Sequence, residues 1–196
     1  MKQLLDLSWV YRAWQAPFVA QKLVRLRRRH PGLPFRRVLD VGCGPGINAP
    51  AFAHTDYLGV DLDAGYIADA RKRFGDHFMV GDAADLKLSA DRKFDCIFVN
   101  SLLHHLTDEQ VARLLTSVRA LLAPGGTLFV VDLYVPAAGL PRRLALADRG
   151  QFPRALPHLR SLITHAFCLD AEELFRLRIG PLTLWTMVYY EARICG

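Results

Sequence analysis

Three glycines stand at alternate positions in the stretch RRVLDVGCGPGINAPAF, and three acids, Asp40, Asp61 and Asp82, lie at or just beyond the ends of short apolar runs. A strand, a glycine turn and a helix place backbone N–H groups around a ligand at the carboxyl edge of a sheet, which suits a nucleotide-like molecule. A phosphate loop would need a lysine directly after its glycines, and none follows Gly46. The dinucleotide pattern G-x-G-x-x-G would put its third glycine at position 47, where the chain has Ile47. Gly42, Gly44 and Gly46 preceded by Asp40 instead suit a ligand without a pyrophosphate. The turn brings the backbone close to a sugar and an amino acid moiety, and Asp40 can orient the loop or a water near an ammonium group. Asp61 follows Gly42 by nineteen residues, the spacing at which a carboxylate accepts both ribose hydroxyls. Asp82, in VGDAADL, is placed to accept an adenine amino group. Any one of these acids alone reads as a surface carboxylate; three at the ends of neighbouring strands converge on one crevice.

Other residues have chemistry without a fixed role. His104 and His105, in LLHHL, are candidate general bases because imidazole titrates near neutrality, the alternative being structural, hydrogen-bonded histidines. Lys22, Arg149 and Arg154 are candidates for binding an acidic group, or solvated surface. Cys43, inside the glycine turn, reads as packing and not as a nucleophile. Cys43, Cys96, Cys168 and Cys195 are far apart and form no C-x-x-C pair, so a zinc site or redox dithiol is not expected and the thiols are expected to be reduced and mostly buried.

The elements that must position these residues follow from periodicity. From Leu4 to Arg29 apolar residues recur at spacings near three and four, an amphipathic helix that Pro17 is expected to split in two. The turn HPGLP ends this leader. RVLDV, YLGV, HFMV, DCIFV and TLFVVDL then read as strands. Helices are expected near residues 46 to 53, at DAGYIADARKRF and at TDEQVARLLTSVRALL, the last with Thr107 as N-cap. Short apolar strands alternating with helices indicate a parallel sheet covered on both faces. In the tail, RALPHLRSLITHAF reads as a helix, and two strand-like runs joined only by GPL demand an antiparallel hairpin. Tyr189 and Tyr190 alternate along the second run, so one of them is expected to face the core.

At 196 residues, with 52% hydrophobic and 22% charged residues, one well-packed domain is expected. No apolar run reaches membrane-spanning length, and the N-terminus has no secretory pattern, so the expected location is the cytoplasm. Residues 1 to 37 hold nine Lys/Arg against one acid, and residues 38 to 196 sixteen against eighteen. The basic leader carries Arg25, Arg27, Arg28 and Arg29, which suit an acidic carrier protein, a lipid surface or phosphate, or else complement a helix C-terminus.

VLDVGCGPG, YLGVDLDAGYI, VGDAADL, FDCIFVNSLLHHL and LLAPGGTLFVVD resemble, in order and spacing, the successive motifs of class I S-adenosylmethionine-dependent methyltransferases. The resemblance covers about residues 36 to 133 closely. It implies a Rossmann-like, doubly wound α/β fold with seven strands in the order 3-2-1-4-5-7-6, strand 7 antiparallel. One domain would comprise a helical cap (1–34), a cofactor-binding core (35–133), a substrate-side insert (134–165) and a C-terminal hairpin (166–196). It also implies that Gly42, Gly44 and Gly46 approach the methionine part of S-adenosyl-L-methionine, that Asp61 holds the ribose and that Leu62 packs on the adenine. Asp82 and Ala83 would contact the amino edge of the adenine, and Asn100 would border the methyl donor. Asp132 is followed by LYV and not by the acids of metal-dependent relatives, so no metal is expected. The acceptor pocket would be roofed by the leader, with Tyr11, Trp14 and Phe18, and by the insert. The expected activity is methylation of a small, largely apolar metabolite, with nucleic acid disfavoured as acceptor because NSLL replaces the N-P-P-Y type of motif. An RNA-modifying enzyme using the basic leader and a non-methylating domain that binds the same nucleoside stand as alternatives.

Overall fold

The computed structural model describes residues 8–89, 91–148 and 150–196, with side chains from Gln15 onward. The described residues begin with helix α1 (Ser8–Arg29). Strands β1 (Arg37–Val41), β2 (Asp56–Asp61), β3 (Phe78–Val80), β4 (Phe94–Asn100) and β5 (Leu122–Leu133) follow, with helices α2 (Ala64–Phe74) after β2 and α3 (Asp108–Leu121) after β4. Short helices α4 (Leu140–Leu146) and α5 (Leu156–Ala166) lead to β6 (Cys168–Ile179) and β7 (Leu182–Arg193). The sheet order is β3-β2-β1-β4-β5-β7-β6. Strands β1 to β5 pair in parallel, and β7 runs antiparallel between β5 and β6.

Alternation along the strands divides the core into two layers. Leu39, Ile97, Leu128 and Tyr190 pack beneath α3 and α5, whereas Val38, Phe98, Phe129 and Tyr189 face Phe18, Leu23 and Leu26 of α1. Both tyrosines are therefore buried, on opposite faces; one side was expected to be solvated, but helices cover both faces even at the antiparallel end. Helix α3 starts with a capping box. Thr107 Oγ1 accepts from the Gln110 N–H and Gln110 Oε1 accepts from the Thr107 N–H.

Three expectations are corrected. Pro17 lies inside one continuous α1: its missing N–H removes one ladder bond, and burial of Phe18, Leu23 and Leu26 on the sheet outweighs that loss. The helix expected near residues 46 to 53 is only a single turn of 3₁₀ helix, Ala49–Phe52, because the glycine turn runs on to Asn48 and Pro50 sits at its start. Cys168 and Cys195 are joined in a disulfide with Cα atoms 5.2 Å apart. The hairpin register sets Cys168 opposite Arg193, two residues from Cys195, an adjacency hidden by 27 residues of sequence. Cys43 and Cys96 are free and buried. No helix among the described residues is long and apolar enough to cross a membrane.

Candidate functional site

The carboxyl ends of β1, β2 and β3 form one half of the site. Gly42, Gly44 and Gly46 have φ values of +74°, +54° and +73°, a conformation that strains any residue with a Cβ. This turn is tied to β2. The Gly44 N–H donates to Asp61 Oδ2 at 2.7 Å, while Asp61 Oδ1 accepts from the Asp63 N–H at 2.9 Å. Each oxygen retains a lone pair for a ribose hydroxyl. Leu62, beside it, is 71% exposed, an apolar face of the kind that stacks on a base. Asp82 Oδ1 accepts from the Ala84 N–H at 2.8 Å and opens the turn Ala83–Asp85, so this acid also shapes the loop in which it sits.

Asp40 is fully buried. Its Oδ2 accepts from Tyr57 Oη at 2.8 Å and Asn48 Nδ2 at 3.3 Å, while Oδ1 has no partner. Burial lifts its carboxyl to about 7, against the two hydrogen bonds that oppose the rise. An unpartnered, buried carboxylate oxygen below a glycine turn fits an ammonium group or its water. Cys43 is buried, with its thiol pushed far up by burial, which makes it packing and not a nucleophile.

The other half lies at the ends of β4 and β5. Asn100 closes β4, and its Nδ2 reaches Asn48 Oδ1 at 3.5 Å. Ser101 follows with φ +56°, an uncommon conformation for serine, and its Oγ donates to Asn100 Oδ1 at 3.2 Å. Lys22 reaches this point from α1. Its Nζ donates to Ser101 Oγ at 2.8 Å and to Gln15 Oε1 at 3.0 Å. It is 4% exposed, and burial lowers its pKa to about 8, only partly opposed by Asp132 and Asp148.

His104 is buried between two carboxylates. Nδ1 meets Asp132 Oδ1 at 2.5 Å, and Nε2 lies 3.3 Å from Asp148 Oδ1. Burial alone would lower its pKa; Asp132 and then Asp148 outweigh burial and raise it to about 9. Asp132 also accepts from the Leu103 and Leu133 N–H groups, at 2.6 and 2.7 Å. His105 is exposed, with its ring centroid 4.2 Å from that of His104. Ligand atoms of His104, His105 and Asp148 lie within 4.8 Å of one another, a metal-compatible spacing among the described residues in which His104 is already engaged with both acids.

The insert clamps this turn. The Phe152 N–H donates to the His104 carbonyl at 3.0 Å, and a Cβ at Gly150 would lie 2.2 Å from His104 Cδ2. Arg154 is buried and not the solvated residue that was one expectation for it: its guanidinium donates to the Leu103, Leu106 and Phe152 carbonyls and to Asp108. Those carbonyls and Asp108 already occupy the group considered for an acidic ligand. Phe18 is 1% exposed and packs edge-on against Trp185, so it belongs to the core and not to a pocket wall. The side chains of Tyr11 and Trp14, and residue Arg149, lie outside the described residues.

Three of the arginines expected to meet a carrier protein or membrane have acidic partners within the fold. Arg25 and Arg28 pair with Glu173, and Arg29 with Glu191, because α1 runs along the acidic residues of β6 and β7; Arg27, Arg28 and Arg29 are all exposed.

This arrangement has parallels in known proteins. Residues 38–126 match the methyltransferase domain family. Over these residues the chain is a methyltransferase domain in sequence, and its sheet order is the one expected from the resemblance to class I S-adenosylmethionine-dependent methyltransferases. An uncharacterized methyltransferase of Mycobacterium tuberculosis is 36% identical over 104 residues, which cover 51% of this chain and 52% of the relative. A fatty-acid O-methyltransferase of Mycolicibacterium smegmatis is 36% identical over 170 residues, covering 81% of this chain and 61% of the relative. The chain thus spans about half the length of the first of these curated relatives. The N-methyltransferase NodS of Bradyrhizobium japonicum, solved with S-adenosyl-L-homocysteine, superposes with a TM-score of 0.71 over 92% of this chain and 89% of its own, at 18% identity. S-adenosyl-L-methionine is the cofactor of this family, and the residues present fit it: a left-handed glycine turn, the Asp61 carboxylate that would meet the ribose, exposed Leu62 that would meet the base and the unpartnered oxygen of buried Asp40.

Sequence reasoning missed Asn48, Tyr57, Ser101 and Asp148, and it used Asp132 to argue against a metal. Its place inside the apolar run TLFVVDL was the available signal, since an acid within a buried strand must be paired. Asn48, Tyr57 and Ser101 have no pattern of their own, and Asp148 acquires its partner only when the insert folds back.

Proposed function

We propose that this protein transfers a methyl group from S-adenosyl-L-methionine to a small, largely apolar molecule. The observation that carries this reading is the closure of the β4 edge. Lys22 of α1 covers Ser101 from one side, and Asp148, Phe152 and Arg154 of the insert strap the following turn from the other. Bound there, S-adenosyl-L-methionine would supply a methyl group activated by its sulfonium. Gly42, Gly44, Gly46 and Asp61 would hold the nucleoside and its amino acid part, Leu62, Asp82 and Ala83 the base, and Asn100 the donor edge. The protein contributes position and exclusion of water, which suffice for much of an in-line displacement.

Two relatives are named for small molecules: trans-aconitate for a methyltransferase of Methylobacterium nodulans and fatty acids for that of Mycolicibacterium smegmatis. Pairing of Arg25, Arg28 and Arg29 with Glu173 and Glu191 offsets part of the positive charge that an RNA would require. The test is S-adenosyl-L-homocysteine release with a panel of small acceptors, run beside tRNA and rRNA at low salt. Turnover of a small molecule alone is expected; turnover of RNA alone would overturn the proposal.

A further inference from the structure

A buried lysine at the edge of a cationic donor's site needs an explanation. Lys22 places its ammonium 2.8 Å from Ser101 Oγ, one residue beyond Asn100. Two of its three N–H groups find acceptors among the described residues. Burial of this charge works against folding, as its lowered pKa of about 8 records. A methionine of similar length would fill the space without that cost.

Charge balance narrows the purpose. Asp132 and Asp148 face His104 and Lys22, so two carboxylates meet one imidazolium and one ammonium, and this cluster is neutral by itself. A sulfonium placed beside it adds a positive charge at this edge of the site, and a carboxylate acceptor would balance it there. Both nitrogens of His104 point at carboxylates, so this ring keeps its protons and offers an acceptor no free lone pair.

We infer that the acceptor is a carboxylic acid, methylated on its ionised carboxylate and anchored by the Lys22 ammonium beside Ser101; this rests on the methyl-transfer reading above. Carboxylic acids are ionised at neutral pH without help. One oxygen accepts from Lys22 Nζ. A lone pair on the other forms the new bond to the methyl carbon as the carbon–sulfur bond breaks, its electron pair staying on sulfur; no proton moves. Positive and negative charge vanish together, a change that a dry site favours. Lys22 also fixes which end of an otherwise apolar molecule enters.

The test uses the full chain with octanoic, decanoic, phenylacetic and cinnamic acids, each run beside its corresponding alcohol and primary amine. Expected are S-adenosyl-L-homocysteine release with acids only and a product that liberates methanol in mild alkali. Lys22→Met should raise KM for the accepted acid by about 10- to 150-fold, the range of a lost charged hydrogen bond, with a smaller change in kcat. Lys22→Arg should recover part of it. Calorimetry provides a readout without turnover: the protein loaded with S-adenosyl-L-homocysteine should bind phenylacetate more tightly than phenethyl alcohol, and Lys22→Met should erase that preference while its affinity for S-adenosyl-L-homocysteine stays the same. Methylation of an alcohol or amine in preference to its acid would overturn the proposal. So would an unchanged KM in Lys22→Met, or tight cofactor binding with no acid in the panel accepted. Failure to bind S-adenosyl-L-methionine at all would instead overturn the methyltransferase reading itself.

Discussion

The two halves of the site are built in different ways. The donor half, at the ends of β1 to β3, is made of tight turns and backbone contacts between segments close in sequence: Gly44 to Asp61, Asp61 to Asp63, Asp82 to Ala84. The half proposed for the acceptor, at the ends of β4 and β5, is made of buried charges from segments far apart: Lys22 of α1, His104 after β4, Asp132 of β5 and Asp148 of the insert. Turns that recognise a fixed ligand are specified locally, whereas a pocket for a variable one is assembled by tertiary contact. Damage should therefore spread differently: through the whole fold from the acceptor half, and into ligand affinity alone from the donor half.

The sharpest break is Asp132→Ala. It leaves His104 and Lys22 facing only Asp148 and strips two buried N–H groups of their acceptor, so a loss of about 3–5 kcal/mol in unfolding free energy is expected by denaturant titration. A stability change within 0.5 kcal/mol, roughly the level of a surface substitution, would show that the cluster is not structural.

The pH dependence of the same cluster comes next. The folded pKa of His104, about 9, lies above its unfolded value near 6.5, so its stabilisation is complete below about 6.5 and is lost as pH rises to about 9. The advantage of the wild-type chain over His104→Gln should shrink through that window, from an amount on the order of 3 kcal/mol. Lys22 acts in the opposite sense: its folded pKa is lowered, so its cost is full below about 8 and disappears towards 10.5. Measured over pH 6–10, a flat difference between wild type and His104→Gln would remove the ionised bridge.

On the donor side, Asp61→Ala should weaken S-adenosyl-L-methionine binding by about 1.5–3 kcal/mol in calorimetry while the acceptor KM hardly moves. Equal loss on both axes would blur the contrast. The smallest change is Gly150→Ala, whose methyl would strike His104 Cδ2; a cost of about 1–3 kcal/mol is expected in thermal unfolding, with cofactor affinity retained.

Reading the sequence reached the glycine turn and the strand ends that carry Asp40, Asp61 and Asp82, because a φ above zero calls for glycine and a strand end is marked by a change of pattern. It reached the arrangement of all seven strands through motif order. It did not reach the helix that runs through Pro17, since packing of Phe18, Leu23 and Leu26 decides that, nor the Cys168–Cys195 bridge, which depends on hairpin register. For His104 the sequence offered a candidate base, and folding surrounded the ring with acids. Lys22 and Arg154 stood as candidates for an acidic group or as solvated surface, and burial removes the second reading for both.

By itself, then, the order of residues determined the sheet, the glycine turn and the acids that line it, because those depend on backbone conformation and on spacing along the chain. The tertiary structure decided which charges are buried together, because burial and pairing exist only once α1, the insert and β5 meet. A proton on His104 and an ammonium beside Ser101 are properties of that meeting.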